Sequence, residues 1–171
     1  MLGIIYLIKP SIFSPGTVVD FVDSFQGGAL IIYTLITFIR GFFLIPSTPF
    51  VVGGALLFPD KLLLVLVVSM LGVLFSASLL YFFSNSLGFD ERLEKKNPRK
   101  AKQWRALLQK RHATLFVLGW SFFPLVPTDL ICYVAGAVKM PFRNLIFGVF
   151  VGELVLDVLY IFYGSSLFGV L

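Results

Sequence analysis

The chain has 171 residues, 58% of them hydrophobic and only 13% charged, with a mean hydropathy of +0.94. Soluble domains carry about 25% charged residues, so a freely soluble domain is excluded and the chain reads as an all-α integral membrane protein. The net charge of +5 is concentrated in residues 84–112, which alone carry +6 and leave −1 for the remainder. The positive-inside rule places that loop in the cytoplasm, with membrane lipids, anionic ones above all, as its expected partner and no nucleic acid.

Met1–Ile8 is apolar but too short to span, and no charged region precedes it as a cleaved signal peptide requires. Lys9–Gly16 holds two prolines and reads as loop. Thr17–Gln26 sets Val18, Val19, Phe21, Val22 and Phe25 around Asp20 and Asp23, the pattern of a short amphipathic helix at the bilayer surface. Residues 1–27 are thus an interfacial segment ahead of one membrane domain, 28–171. Gly28–Ile45 offers about 18 residues for a first span, at the short end of the usual ~17–25. Arg40 near its far end either snorkels to the interface or partners a carboxylate or phosphate. Pro46–Pro59 is apolar, too short to cross and bracketed by prolines, and its Gly53-Gly54 pair permits a sharp turn or close backbone approach. A re-entrant hairpin accounts for these features. Leu62–Phe83, about 22 residues without a charge, is the strongest span. Gly72, Ser76 and Ala77 give it a small-residue face for helix packing.

The basic segment Ser84–His112 contains Asn97-Pro98, an N-cap followed by proline at the first helical position. Beyond it Ala101, Trp104, Leu107 and Leu108 fall on one side, which predicts a surface helix dipping its apolar face into the headgroups. Arg99, Lys100, Lys102 and Arg105 are its candidate headgroup contacts, at roughly 1 kcal/mol each near an anionic leaflet. A merely topogenic loop is the alternative. Ala113–Val138 is again apolar but broken by Pro124 and Pro127, with Asp129 beside the break. Proline removes a donor and pushes the preceding residue out of the α region. Lipid tolerates such a break only where protein or water takes up the freed polar groups. Lys139 and Arg143 then return positive charge and are further headgroup candidates, so this stretch enters and leaves on the cytoplasmic side. Leu145–Phe162 is the last span, followed by a short tail, Gly164–Leu171.

Pro46/Pro49 and Pro124/Pro127 are both P-x-x-P inside apolar runs, one followed by Gly53-Gly54 and the other by Gly136. With the basic loop cytoplasmic, the first hairpin dips in from outside and the second from inside. Matched breaks in two halves point to an inverted-repeat transporter with its site near the midplane. Asp129, Glu153 and Asp157 are the acids at bilayer depth, where a carboxylate costs about 2.5–3.5 kcal/mol on insertion scales and marks a candidate site. Glu153 and Asp157, four apart, share a helix face. Two carboxylates so close in low dielectric do not easily ionise together, which suits a proton relay or a cation site. The structural alternatives are ion pairs with Arg40, Lys139 or Arg143 and, for Asp129, a helix cap. Ser47, Thr48 and Thr128 are headgroup donors or local caps. Cys132 and His112 are each the single residue of their kind, and GxSxG, HExxH and P-loop motifs are absent. No enzyme, metal or cofactor is therefore expected.

The runs P-S-T-P-F-V-V-G-G-A-L-L-F (46–58), L-L-Y-F-F-S-N-S-L-G (79–88) and F-F-P-L-V-P-T-D-L-I-C-Y-V-A-G-A-V-K-M-P-F-R (122–143) resemble a VTT domain of the DedA-like superfamily. The resemblance covers residues 28–165 and is most specific where P-x-x-P-x-D, Y-x-x-G and K-M-P-F-R follow in the family's order. It implies two re-entrant hairpins facing each other across the bilayer, and lipid movement between leaflets by a phospholipid scramblase or polyprenyl-phosphate translocase. DedA proteins carry an acid just after the first proline pair, where this chain has Phe50, and an arginine three residues before the second break, where it has Ser121. The resemblance is therefore to a divergent member. The expected architecture has about three transmembrane helices, two inverted re-entrant hairpins and interfacial helices, in the plasma membrane if the source is prokaryotic. The expected function is lipid movement through a cleft between the hairpins. A small proton- or ion-coupled transporter using Glu153 and Asp157, and a membrane scaffold acting through the basic helix, are the competing readings. Self-association into a homo-oligomer is left open.

Overall fold

The computed structural model describes residues 14–25, 27–43, 45–86, 98–110, 112–123 and 126–168. The expectations for Met1–Ile8, Asn97 and Pro124 fall outside them. The first helix, α1 (Pro15–Asp23), is capped by Ser14, whose hydroxyl accepts from the Thr17 amide at 3.3 Å. Pro15 has no amide to leave unpaired and fits the first turn, so helix replaces the end of the predicted loop Lys9–Gly16. Val18 and Val22 pack inward while Phe21 and Phe25 face out, as an amphipathic helix requires.

Next come α2 (Ala29–Ile39), a 3-10 turn (Arg40–Phe43), α3 (Thr48–Leu57), a second 3-10 turn (Pro59–Lys61) and α4 (Leu62–Ser86). The eleven residues of α2 rise about 17 Å, short of the ~30 Å hydrocarbon core. The chain tightens at Arg40, so Gly28–Ile45 is not one continuous helix. After α5 (Pro98–Leu108) follow α6 (Ala113–Ser121), α7 (Thr128–Ala137) and α8 (Phe142–Phe168), and the tail expected from Gly164 starts as helix. Two helical stretches among the described residues, Pro59–Ser84 and Phe142–Tyr163, are long and apolar enough to cross a membrane, with mean hydropathies of 2.6 and 2.2. By contrast, α3 and α7 have ten residues each, about 15 Å, or half that thickness.

The order short helix, break, ten-residue helix opening at a threonine, long apolar helix thus occurs twice, as α2–α4 and as α6–α8. Each short helix packs on its own long helix, and each ten-residue helix also lies against the long helix of the other half, α3 on α8 and α7 on α4. Small residues set the first kind of contact. On α4, Gly72 meets Thr37 and Ser76 meets Gly41, on the face the sequence predicts. Its counterpart on α8, Gly148 against Val117 and Gly152 against Ser121, was not anticipated.

The tightest approach between α7 and α4 is at Gly136, where a Cβ would stand 2.3 Å from the Tyr81 carbonyl oxygen. Backbone cannot swing aside as a side chain does, so Gly136→Ala is expected to lower the melting temperature in detergent. The overpacking penalty is about 1–3 kcal/mol. Gly119→Ala, with open space around it, is the control that should not fall; equal melting of the two variants would refute the close approach.

Past α7, Lys139 takes a left-handed φ of 56°, and the Met140 amide bonds the Ala135 carbonyl at 2.9 Å, a helix stop glycine usually fills. The Tyr81 hydroxyl donates to the Met140 carbonyl at 2.6 Å and ties the far part of α4 to this turn.

Apolar side chains gather in two clusters. One is built on Val22, Tyr33, Val51, Val65 and Ile161, the other on Val73, Ala77, Val117, Ile131, Leu145 and Val149. The helix α4 runs from the first cluster to the second and α8 from the second to the first, so the long helices are antiparallel. The helix α5 carries Pro98 in its first described turn, and its apolar side is divided: Leu107 is exposed, while the other two described residues are covered by protein. Leu108 is fully buried and Trp104 packs on the second cluster, because α6 offers Phe116 and Trp120 as partners.

A buried polar layer as candidate functional site

Between Val149 and Ile161 of α8, and so between the two clusters, lie Glu153 and Asp157, each 1% exposed. Arg40, Ser47, Thr128 and Asp129 are buried with them. The 3-10 turn after α2 brings Arg40 inward, and its Nη1 donates to the Ile45 carbonyl at 2.9 Å and to Asp129 Oδ2 at 3.3 Å. One guanidinium nitrogen therefore bridges the first break to the first turn of α7.

A second bridge is centred on Glu153. The Ser47 hydroxyl donates to Oε2 at 3.1 Å, and the Thr128 hydroxyl donates to Oε1. Ser47 is the N-cap of α3 and Thr128 is the first residue of α7 after Pro127, and neither helix start has a side-chain cap. The Glu153 carboxylate thus lies at the N-terminal ends of both ten-residue helices. Those ends carry the positive half of the helix dipole and favour an anion.

These contacts decide between readings the sequence left open. Arg40 is 4% exposed and ion-paired, so it does not snorkel. Asp129 does not cap α7, whose N-cap is Pro127; its carboxylate turns to Arg40. Lys139 and Arg143 are exposed and lie outside the layer, and the cation paired with Asp129 is Arg40. Among the described residues, Asp157 Oδ2, Arg40 Nε and Ser121 Oγ are buried without a hydrogen-bond partner.

A cavity of ≈ 10 Å³ adjoins Glu153, walled by Pro46, Ser47, Thr48, Ser121, Thr128 and Leu156, with Phe123 and Val126 completing it. That is room for about one water. Pro46 and Pro49 are buried and Pro127 is half-buried. Gly53 and Gly54 serve packing instead, against Val18 and Tyr33, and Gly136 against Tyr81. On α5, Arg99 and Lys102 are exposed and Arg105 is half-buried, while the Lys100 side chain is outside the described residues. Ser121, Phe123 and Val126 were not predicted as site residues. For Ser121 a signal existed, since it stands where DedA proteins carry arginine. Among the described residues, no group of three or more His, Cys, Asp or Glu is placed to hold a metal ion.

The family model of the VTT domain matches residues 45–166, which include the whole layer except Arg40. An uncharacterised protein of the archaeon Methanocaldococcus jannaschii is 31% identical over 117 residues, covering 64% of this chain and 67% of its own length. No solved structure matches the chain.

Proposed function

Since the chain belongs to the VTT-domain family of membrane proteins, which is implicated in membrane transport, we propose that it moves lipid between leaflets. The headgroup passes through the buried polar layer while the tails stay in hydrocarbon. The observation that carries this reading is the convergence on Glu153. Two helix N-termini, two hydroxyls and a neighbouring guanidinium form a donor set suited to a phosphate headgroup. In the closed arrangement Glu153 and Asp129 accept the bonds a phosphate would take, and passage requires the two breaks to part.

The α2–α3 and α6–α7 units are read as re-entrant hairpins, the first entering from outside and the second from the cytoplasm, where the basic loop 84–112 lies. Antiparallel long helices and the exchanged packing of α3 and α7 support this inverted arrangement. Nothing in the proposed path calls for an enzyme, a metal or a cofactor. A second reading, lipid or solute movement coupled to protons or cations, is favoured by one observation: the unpartnered Asp157 oxygen one turn from Glu153.

The test is purified protein in vesicles holding a trace of fluorescent phospholipid, with dithionite added outside. Bleaching is expected to run past the outer-leaflet fraction. Bleaching that stops where empty vesicles stop overturns the proposal. A rate that changes with an imposed pH gradient supports the coupled reading, and an unchanged rate removes proton coupling.

A further inference from the structure

The helix α5 holds α7 at both ends. Its Trp104 meets Trp120 edge-on with ring centres 6.2 Å apart, and Trp120 Nε1 donates to the Pro127 carbonyl at 3.4 Å, directly before Thr128. Phe116 closes the aromatic group, 5.9 Å from Trp120 and 6.4 Å from Trp104. Past the other end of α7, Gln109 Nε2 donates to the Val138 carbonyl at 2.9 Å. Leu108, 0% exposed, fixes α5 between these two grips. These contacts link α5, through Trp120 of α6 and through Gln109, to the helix whose first residue bonds Glu153.

The opposite side of α5 has a different chemistry. Arg99, Lys102, Gln103, Ala106 and Lys110 are exposed and recur at the spacing of one helix face. Residues 98–110 contain five basic residues and no acid. The segment also connects the end of α4 to the start of α6, at the margin of a membrane-spanning helix. Among the described residues no acid is ion-paired with Arg99, Lys102 or Lys110, and a cationic face in that place is complementary to an anionic leaflet, at roughly 1 kcal/mol for each Lys or Arg near the surface.

We propose that α5 senses anionic lipid at the cytoplasmic surface and passes its position through the Trp104–Trp120 pair and Gln109 to α7, setting how readily the second break opens. The sensing stands independently of lipid movement, whereas its consequence for transport rests on the function proposed above.

The chain's two tryptophans are the two members of the relay, so intrinsic fluorescence reports on it directly. The protein is reconstituted in vesicles of phosphatidylcholine and in vesicles where part of that lipid is replaced by phosphatidylglycerol. The emission spectrum is expected to differ between the two, and the difference to fade as salt shortens the screening length from about 10 Å at 0.1 M to about 3 Å at 1 M. Arg99→Gln, Lys102→Gln and Lys110→Gln, all on the exposed face, should each raise the phosphatidylglycerol fraction needed by roughly fivefold in effective affinity, with unchanged far-ultraviolet circular dichroism. Identical emission in both lipids overturns the sensing. The same shift produced by inorganic phosphate alone overturns the lipid-surface assignment. Amide exchange at residues 128–130 tests the relay: it should respond to phosphatidylglycerol in the wild type and not in Trp104→Leu, and an equal response in both refutes the coupling. None of these readouts measures lipid movement, so they stand or fall separately from the transport reading.

Discussion

Arg40→Met is expected to destabilise the protein by about 3–5 kcal/mol, the usual consequence of stripping one partner from a buried ion pair, and to stop lipid movement. The Arg40 and Asp129 side chains are 3% and 5% exposed, so neither can turn to water when the other is lost. The Ile45 carbonyl loses its guanidinium donor in the same substitution. Arg40→Met with Asp129→Leu leaves no unpaired charge from this bridge, and such apolar replacements of buried pairs are neutral or better by about 1–4 kcal/mol. The apparent melting temperature in detergent should therefore fall in the single variant and recover in large part in the double, which still leaves the Ile45 carbonyl without its guanidinium donor. Wild-type melting in the single variant would show that the pair does not hold the two breaks together.

The second large effect is expected at Glu153, which accepts from Ser47 and Thr128 at once. Glu153→Leu strands two buried hydroxyls, at about 1–3 kcal/mol for each group left unsatisfied. Glu153→Gln keeps one acceptor oxygen, and its amide can donate to a hydroxyl that rotates to receive it. Leucine should thus lower the melting temperature clearly more than glutamine does. Equal losses would mean that charge, not hydrogen bonding, holds the breaks at Glu153. Lipid movement is expected to fail in Glu153→Leu; for Glu153→Gln, retained movement would show that the carboxylate's charge is dispensable.

Much of this layer was legible in the sequence because its signals are local. Prolines inside apolar runs mark the breaks, and a carboxylate at bilayer depth stands out wherever it falls. What pairs with what was not legible. Arg40 and Asp129 are 89 positions apart, and Ser47 and Glu153 are 106 apart, so no spacing rule links them. That Gly28–Ile45 contains an eleven-residue α-helix followed by a 3-10 turn was hidden for a related reason. Hydropathy averages over a window and does not register a chain that tightens at Arg40 to turn one side chain inward. For α5, periodicity showed that Trp104 and Leu108 need cover but not that Phe116 and Trp120 of α6 help supply it. The Gly148/Gly152 face on α8 carries the same small-residue spacing as Gly72/Ser76 on α4 and was readable by the same rule.

The polar layer itself is tested most directly by dithionite bleaching of vesicles holding the Arg40→Met/Asp129→Leu protein, beside wild type. The double variant is expected to melt well above the Arg40→Met single variant and yet leave inner-leaflet label protected, while wild type exposes it. Bleaching at the wild-type rate by a double variant with recovered melting would contradict a role for the layer in lipid passage and leave it a structural tie between the two breaks.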